Sequence, residues 1–281
     1  MKKSFVVLFI LSFLNIIAFS FFTFLSSAHL EVSFFDVGQG DSIFIQTPQK
    51  HQILIDGGPD YTKVIDSLSS EMPFNDKEID LVILSHPESD HMTGLLSVLE
   101  NYKVDNILWT GIERDGEKFE SWKRMISDEG AKIYYANKGD IISMGNVEMK
   151  IIYPAELLKD KEVKDSNDTS IVGKLSYGNN SFLFTGDISS KKEKLLLESD
   201  IDVDVLKVPH HGSKYSTSEG FLDKATPLIS VIQVGKNSYG HPTEEVLTRL
   251  SNSGIKVLRN DTNGKIKIVS DGINYKIITS K

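Results

Sequence analysis

The sequence predicts an α/β fold in which mixed sheets are covered by helices as a layered sandwich. Strand-like and helix-like segments interleave along the chain, and hairpin patterns occur near the start and in the middle. With 281 residues, of which 40% are apolar, the chain is large enough to bury a full core. No low-complexity linker divides the sequence after Leu30, so we expect one domain over residues 29–281.

The first half of the chain predicts strands separated by three helices. Segment 79–84 is apolar apart from Asp80, which is typical of a strand covered on both faces. The predicted strands are residues 30–35, 42–46, 51–55, 79–84, 106–109 and 132–135, and the predicted helices are residues 61–70, 94–101 and 117–129.

The second half begins with a predicted meander of four strands. Gly178-Asn179-Asn180 has the composition of a hairpin turn. The meander strands are residues 140–142, 147–153, 170–177 and 181–185. They are followed by a helix over 190–199, strands over 203–208 and 228–234, a helix over 243–251 and short strands within 256–278.

Residues 1–28 predict a signal peptide or a membrane anchor. Lys2 and Lys3 precede an apolar run over residues 5–25, which is long enough at about 20 residues to span a bilayer. That length favours an uncleaved anchor, whereas Ser26-Ser27-Ala28 resembles a signal-peptide cleavage site. The lysines favour a cytoplasmic N-terminus. In both cases the remainder is predicted to lie at the extracellular face of the membrane or to be secreted.

Composition restricts the chemistry. The chain has no cysteine, which excludes disulfides and thiolate metal sites, so any metal must be held by His, Asp and Glu. The formal net charge of −8 argues against broad, non-specific binding of nucleic acid. It is still compatible with a nuclease whose metal ions and local basic patch contact the phosphate.

Candidate metal ligands follow several predicted strands. The segment after residue 84 holds four of them within six residues, and further candidates follow later strands. The ends of strands at one sheet edge are where α/β proteins assemble their sites. A single histidine there is more often a solvated residue, and Asp90 could simply cap a helix, but the joint pattern favours a metal centre. The candidates are His86, Glu88, Asp90, His91, Asp187, His210, His211 and His241.

These residues resemble the signature of the metallo-β-lactamase superfamily, which is His-x-His-x-Asp-His followed by a later bridging Asp and a final His. The closer resemblance is to the extracellular hydrolase domains of ComEC-type competence proteins. It rests on Phe35-Asp36-Val37-Gly38-Gln39-Gly40-Asp41-Ser42, Ile55-Asp56-Gly57-Gly58, Ser85-His86-Pro87 with Asp90-His91, Asn167-Asp168-Thr169-Ser170, Phe184-Thr185-Gly186-Asp187 and Leu206-Lys207-Val208-Pro209-His210-His211-Gly212-Ser213. The resemblance implies a four-layered αβ/βα sandwich, two divalent metal ions and phosphodiester hydrolysis.

Two departures from the superfamily signature concern the ligands. Glu88 stands where the second histidine is expected, and Asn167 to Ser170 occupies the region of another ligand histidine. The resemblance then implies one metal held by His86, Glu88 and Asp187. The other would be held by Asp90, His91, Asp187 and one of His210 and His211, between which spacing does not decide. We assign His210 to the metal. The oxygen-rich first site shifts the preference from Zn²⁺ towards Mn²⁺.

The predicted mechanism is two-metal activation of water. Asp187 would bridge the ions, Asp90 would orient the attacking hydroxide, and His211 or His241 would protonate the leaving oxygen or hold a phosphate oxygen. The residues predicted to contact the substrate phosphates are Lys207, Ser213, Lys214 and Tyr239.

The sequence therefore predicts a phosphodiesterase, most readily a nuclease of DNA uptake that works with a separate channel or other uptake proteins. Two alternatives remain open at this point. One is the hydrolysis of a phosphocholine-type or cell-wall ester by the same chemistry. The other is a secreted metal-binding scaffold with little turnover, which the missing histidine ligands would permit.

Overall fold

The computed structural model describes residues 9–17 and 29–281 of the chain. Helix α1 includes residues 9–17, whose side chains are exposed. The rest of the predicted signal peptide or anchor lies outside the described residues. No helix within the described ranges is long and apolar enough to cross a membrane.

The first sheet has eight strands in the order β15-β14-β1-β2-β3-β4-β5-β6. Neighbouring strands are antiparallel from β15 to β3 and parallel from β3 to β6. Its strands are β1 (Leu30–Phe34), β2 (Ile43–Gln46), β3 (Gln52–Ile55), β4 (Glu78–Ile83), β5 (Lys103–Trp109), β6 (Lys132–Tyr135), β14 (Ile266–Ser270) and β15 (Tyr275–Thr279).

The second sheet has seven strands in the order β13-β12-β11-β10-β9-β8-β7. The predicted meander is confirmed, because β7 to β10 are antiparallel neighbours and Gly178 takes a positive φ of 57° in the turn between β9 and β10. The strands are β7 (Ile141–Met144), β8 (Val147–Tyr153), β9 (Val172–Tyr177), β10 (Asn180–Phe184), β11 (Val205–Lys207), β12 (Ile229–Ile232) and β13 (Lys256–Arg259).

The helices differ from the predictions at three places, one of which is α8, a short helix in the tail where only strands were expected. Helix α3 begins at Ser89, five residues before the predicted start, because Glu88 already accepts a hydrogen bond from the Met92 amide. Helix α6 was not predicted, since its seven residues carry little periodicity. The helices are α2 (Lys63–Glu71), α3 (Ser89–Asn101), α4 (Glu117–Asp128), α5 (Ser190–Leu196), α6 (Glu219–Ala225), α7 (Glu244–Asn252) and α8 (Asn260–Asn263).

The two sheets pack face to face, and helices cover both outer faces. Leu30, Val32 and Phe34 alternate along β1 and meet Phe182 and Phe184 of β10 in the core between the sheets. A second apolar cluster joins the first sheet to α2, α3 and α4, and a third joins the second sheet to α5, α6 and α7. The predicted four-layered αβ/βα sandwich is therefore confirmed for the described residues.

Candidate metal centre

Four ligand side chains converge where the two sheets meet at one edge of the sandwich. Asp90 and His91 lie in the first turn of α3, just after β4 of the first sheet. Asp187 follows β10 and His211 follows β11, both in the second sheet. One oxygen or nitrogen of each of these four residues lies within 4.8 Å of all the others. Each sheet thus supplies two ligands to one point.

The spacing of these atoms fits a divalent metal. Asp187 Oδ2 lies 3.4 Å from His91 Nε2 and 3.3 Å from His211 Nε2, and His211 Nε2 lies 3.2 Å from Asp90 Oδ2. Ligands at about 2.0–2.1 Å from a tetrahedral ion are separated by roughly 3.3 Å. The three measured separations match that value, so the four residues can hold one ion with little movement.

Buried atoms without partners support the same conclusion. Among the described residues, His91 Nε2 and Asp187 Oδ1 are buried and make no hydrogen bond. A buried polar atom without a partner costs about 1–3 kcal/mol. Coordination of a cation would satisfy His91 Nε2, as expected of a site built for a metal, whereas Asp187 Oδ1 faces the Lys207 ammonium at 3.6 Å.

The ring nitrogens facing away from the cluster fix the orientation of both histidines. His91 Nδ1 lies 2.8 Å from Asp56 Oδ2, and His211 Nδ1 lies 2.8 Å from the backbone oxygen of Gln233. Donation from each Nδ1 leaves the lone pair of Nε2 directed into the cluster, which is the usual arrangement of metal-ligating histidines.

Charge in the cluster favours a bound cation. Burial alone would lower the pKa of His91, but the carboxylates of Asp187, Asp56 and Asp41 raise it well above its ordinary value. The pKa of His211 is likewise raised despite burial, mainly by Asp187. Burial would raise the pKa of Asp187, yet the neighbouring His211, His91 and Lys207 hold it well below its ordinary value. Without metal the centre therefore takes up protons that a divalent ion would displace.

Two buried carboxylates behind the ligands were not among the predicted site residues. Asp56 accepts hydrogen bonds from the Ser85 amide (2.8 Å) and hydroxyl (2.6 Å) besides contacting His91. Asp41 Oδ1 lies 3.4 Å from His211 Nδ1. Their positions beside β3 and β2, at the sheet edge that carries the ligands, are the sequence signal that could have identified them.

The backbone is left-handed at three positions of the centre. The φ angles are 59° at Asp56, 51° at His210 and 53° at His211. Such conformations cost about 1–3 kcal/mol for residues other than glycine and concentrate at functional sites. Here they turn the chain after β3 and after β11, so that the side chains of Asp56 and His211 point to the centre.

His86 lies next to the cluster but outside it. It is 1% exposed, its ring centroid is 4.2 Å from that of His91, and Ser85 Oγ lies 3.0 Å from its Nδ1. Its Nε2 is buried without a hydrogen-bond partner among the described residues. Burial, reinforced by His91, lowers the pKa of His86 to about 3, so the ring is neutral and its Nε2 can accept a bond from a cation.

Glu88 is held away from the ligand cluster by an ion pair. Arg114 Nη1 lies 2.7 Å from Glu88 Oε1 and also donates to the backbone oxygen of Pro87. The Ser166 hydroxyl donates to the same carboxylate oxygen. Glu88 therefore lines the same cleft as Asp90 and Asp187 but is not part of the four-residue ligand cluster.

The adjacent histidines are placed opposite to our assignment. His211 is 2% exposed and belongs to the ligand cluster. The His210 side chain is 29% exposed, and its Nε2 is 4.0 Å from Asp187 Oδ2 and 3.5 Å from Asn167 Nδ2. His211 is thus placed as a ligand, and His210 is placed at the rim, where a substrate would pass.

Two of the predicted substrate contacts need correction. Lys207 is 1% exposed and pairs with Asp41 behind the ligands, and Ser213 is 2% exposed. Their burial prevents contact with a phosphate in the cleft. Lys214 is exposed, with its ammonium 5.1 Å from the Tyr215 ring centroid.

A polar cleft of about 310 Å³ opens over the centre. Asn237 holds the loop at its rim by accepting hydrogen bonds from the amides of Tyr239 and His241. Tyr239 is 73% exposed there. Burial, with His210 and His211 nearby, lowers the pKa of His241, so its ring is neutral near pH 7. A larger cavity of about 690 Å³ lies between the edge strands β6 and β7, and no cluster residue lines it.

Comparison with known proteins identifies the family. The sequence model of the metallo-β-lactamase superfamily matches residues 35–236. The chain belongs to this superfamily. Its members are typically metal-dependent hydrolases, which agrees with the candidate metal cluster and with the predicted fold.

Relatives with competence-related names confirm the predicted resemblance. ComE operon protein 3 of Bacillus subtilis is 31% identical over 265 residues, covering 86% of this chain and 33% of that protein. Competence protein ComA of Neisseria gonorrhoeae is 30% identical over 243 residues, covering 84% and 32% respectively. This metallo-β-lactamase-family chain thus spans about a third of the length of these curated relatives.

Solved structures of the same fold are more distant. The metallo-β-lactamase fold protein YhfI from Bacillus subtilis has a TM-score of 0.56 and 12% identity, covering 85% of this chain and 99% of that protein. CmlA, a diiron β-hydroxylase from Streptomyces venezuelae, has a TM-score of 0.54 and 13% identity, covering 89% and 54%. These similarities establish the fold of this chain but not its reaction.

Proposed function

We propose that the chain is an extracellular metal-dependent phosphodiesterase that cleaves DNA in a competence-type uptake process. The observation that carries this proposal is the Asp90–His91–Asp187–His211 cluster, which has metal-ligand spacing and lies at the floor of an open polar cleft. The competence-related names of the relatives support DNA as the substrate.

A divalent ion in this cluster would supply Lewis-acid activation of water and of a phosphate oxygen. The chain itself orients the reacting groups. The Asp90 side chain is 36% exposed towards the cleft. The neighbouring His211 and His91 lower its pKa despite burial, so as a carboxylate it can accept a hydrogen bond from the attacking water. The neutral ring of His241 is suited to donate an N–H to a phosphate oxygen.

A different lysine replaces Lys207 as the candidate for phosphate contact. Lys164 is exposed and lines the cleft, close to the metal cluster. The lysine ammonium is a compact charge on a flexible side chain, so it can contact phosphates of a DNA backbone in several positions. Lys164 and the neutral His241 both line the cleft and could each contact a phosphate.

The proposal extends to location and partners. We place the domain outside the cell, held by the segment before residue 29 or released from it. We also propose that the domain works with a separate channel or other uptake proteins. Fractionation tests the attachment: release by high salt indicates a cleaved signal, and release only by detergent indicates an anchor.

The decisive test compares substrates after reconstitution with Mn²⁺ or Zn²⁺. We expect cleavage of DNA, and of an aryl phosphodiester, to be lost in Asp187→Ala. Asp200→Ala is the matched control, because Asp200 is an exposed carboxylate that pairs with Lys174. Preference for a phosphocholine ester over DNA would replace the substrate proposal. Absence of metal-dependent turnover on all three substrates would leave the metal-binding scaffold.

A further inference from the structure

A buried ion pair lies directly behind the metal ligands. Lys207 and Asp41 are each 1% exposed, and the Lys207 ammonium contacts Asp41 Oδ2. Lys207 also donates a hydrogen bond of 2.9 Å to the backbone oxygen of Gly186. Full burial keeps both residues away from any substrate.

Lys207 contacts both the backbone and the side chain around Asp187. The Gly186 oxygen that it binds belongs to the residue directly before Asp187, and its ammonium lies 3.6 Å from Asp187 Oδ1. The Asp187 amide is held in turn by the Ser170 hydroxyl at 2.9 Å. With Oδ1 facing the lysine, Oδ2 faces the two ligand histidines. Lys207 therefore sets the rotation of the Asp187 carboxylate.

Asp41 contacts the rear of both ligand histidines. Its Oδ1 lies 3.4 Å from His211 Nδ1, and its Oδ2 lies 3.7 Å from His91 Nδ1. The backbone of Asp41 is tied to the ligand helix as well, because its amide lies 3.3 Å from the oxygen of Asp90. The ion pair thus reaches ligands of both sheets from behind.

The position of the lysine within its strand is informative. Val205 and Lys207 are two residues apart in β11 and point to the same side, and Val205 packs in the apolar core between the sheets. An apolar residue at 207 would continue that core, and replacing buried ion pairs by apolar side chains is often neutral or stabilising. The stability of the folded chain therefore does not by itself explain why an ion pair occupies this position.

We propose that the Asp41–Lys207 pair positions Asp187, His211 and His91 for metal binding, so that metal affinity depends on two residues that do not touch the ion. Both are positioning residues. The inference rests on the metal centre of the proposed function but not on DNA as substrate.

The test uses the full chain with both charges removed. The double variant Asp41→Asn/Lys207→Met conserves side-chain size and leaves no unpaired buried charge. Affinity for Mn²⁺ is measured by competition with a chromophoric chelator on protein that circular dichroism shows to be folded. We expect a loss of about 10–100-fold, the usual effect of changing residues behind metal ligands. We also expect kcat to recover at saturating Mn²⁺ while KM for substrate changes little.

A second ion pair provides a matched control. Lys267 contacts Glu71, whose side chain is 5% exposed, and also lies 2.8 Å from Glu31 Oε2. None of these three residues belongs to the metal centre. Glu71→Gln/Lys267→Met should lower the thermal midpoint and leave the Mn²⁺ affinity unchanged.

The outcomes separate the possibilities. Wild-type Mn²⁺ affinity in the folded double variant, or an equal loss in the control, would overturn the positioning role. If the double variant does not fold, Asp41→Asn alone decides. It weakens the contacts to both histidines, while Lys207 keeps its bond to Gly186 and has Asp187 as its remaining charged partner at 3.6 Å. Failure of the wild-type chain to bind Mn²⁺ or Zn²⁺ would instead reject the metal centre itself. Metal binding without DNA cleavage would reject only the proposed substrate.

Discussion

The metal centre has two halves, which are held in different ways. On one side, His91 and His211 are fixed from behind by Asp56 and by the Gln233 carbonyl, and their free nitrogens converge on Asp187. On the other side, His86 is buried and available, but Glu88 is engaged with Arg114. A ligand-type residue near a metal site therefore contributes only if its other contacts direct it towards the metal.

The largest expected difference between the halves is in affinity for the first ion. His211→Ala should weaken Mn²⁺ or Zn²⁺ binding by roughly 100-fold or more, because a total of about 10–16 kcal/mol in tight zinc sites is shared by about four ligands. His86→Ala should change the affinity for that ion by less than tenfold. Isothermal titration calorimetry of both variants measures this, and equal losses would show that the halves bind one ion jointly.

The two halves should also differ in how strongly metal binding depends on pH. The raised pKa values of His91 and His211 mean that an ion binding there displaces protons, whereas His86, with a pKa of about 3, has none to release near neutrality. Affinity for the first ion should therefore rise with pH by about 10–100-fold per unit, for one or two protons displaced. Titration calorimetry in buffers of different ionisation enthalpy counts the protons; zero release would contradict the assignment.

The same shifts predict the stability of the metal-free chain. Because the folded-state pKa values of His91 and His211 are raised, their contribution is present below the ordinary histidine pKa and is lost as pH rises through the raised values. The lowered pKa of Asp187 gives a contribution that is lost only in strong acid. The thermal midpoint without metal should thus fall as the solution is made alkaline, and added metal should reverse the fall.

A smaller effect is expected from the support of His91. In Asp56→Asn the side chain keeps its size but loses the charge that faces His91 Nδ1 at 2.8 Å. Metal affinity should decrease about tenfold, at the lower end of the range for residues behind a ligand. The matched control is Asp80→Asn, since Asp80 contacts the partly exposed His51 at 3.5 Å outside the centre. Chelator competition should separate the two variants clearly.

The smallest effect concerns Glu88. Its ion pair with Arg114 is about one-third exposed, and such pairs contribute about 0.2–1 kcal/mol. Arg114→Met should therefore raise the affinity for a second ion by up to about fivefold, because Glu88 no longer has to leave a partner. Measurement of bound metal per chain at increasing Mn²⁺ tests this. Unchanged binding of the second ion would mean that Glu88 is not a ligand even when released.

The sequence predicted the layered fold and the strand ends that carry the ligands, because both depend on local apolar patterns. It did not distinguish His210 from His211, since that choice depends on left-handed backbone angles at both residues. Lys207 was misassigned because a lysine is normally exposed, although its two-residue spacing from Val205 already placed it on the inner side of β11. Arg114 was missed because only tertiary packing brings it to Glu88.

The equal division of the four ligands between the sheets has a mechanical consequence. An ion bound there would act as a removable cross-link between His91 and Asp187. It would tie the first sheet to the second sheet along the edge that carries the ligands. Chelation would then loosen the edge near the cleft before the remote core is affected. Faster amide hydrogen exchange in the first turn of α3 and around Asp187, with little change in β1, would show this local opening.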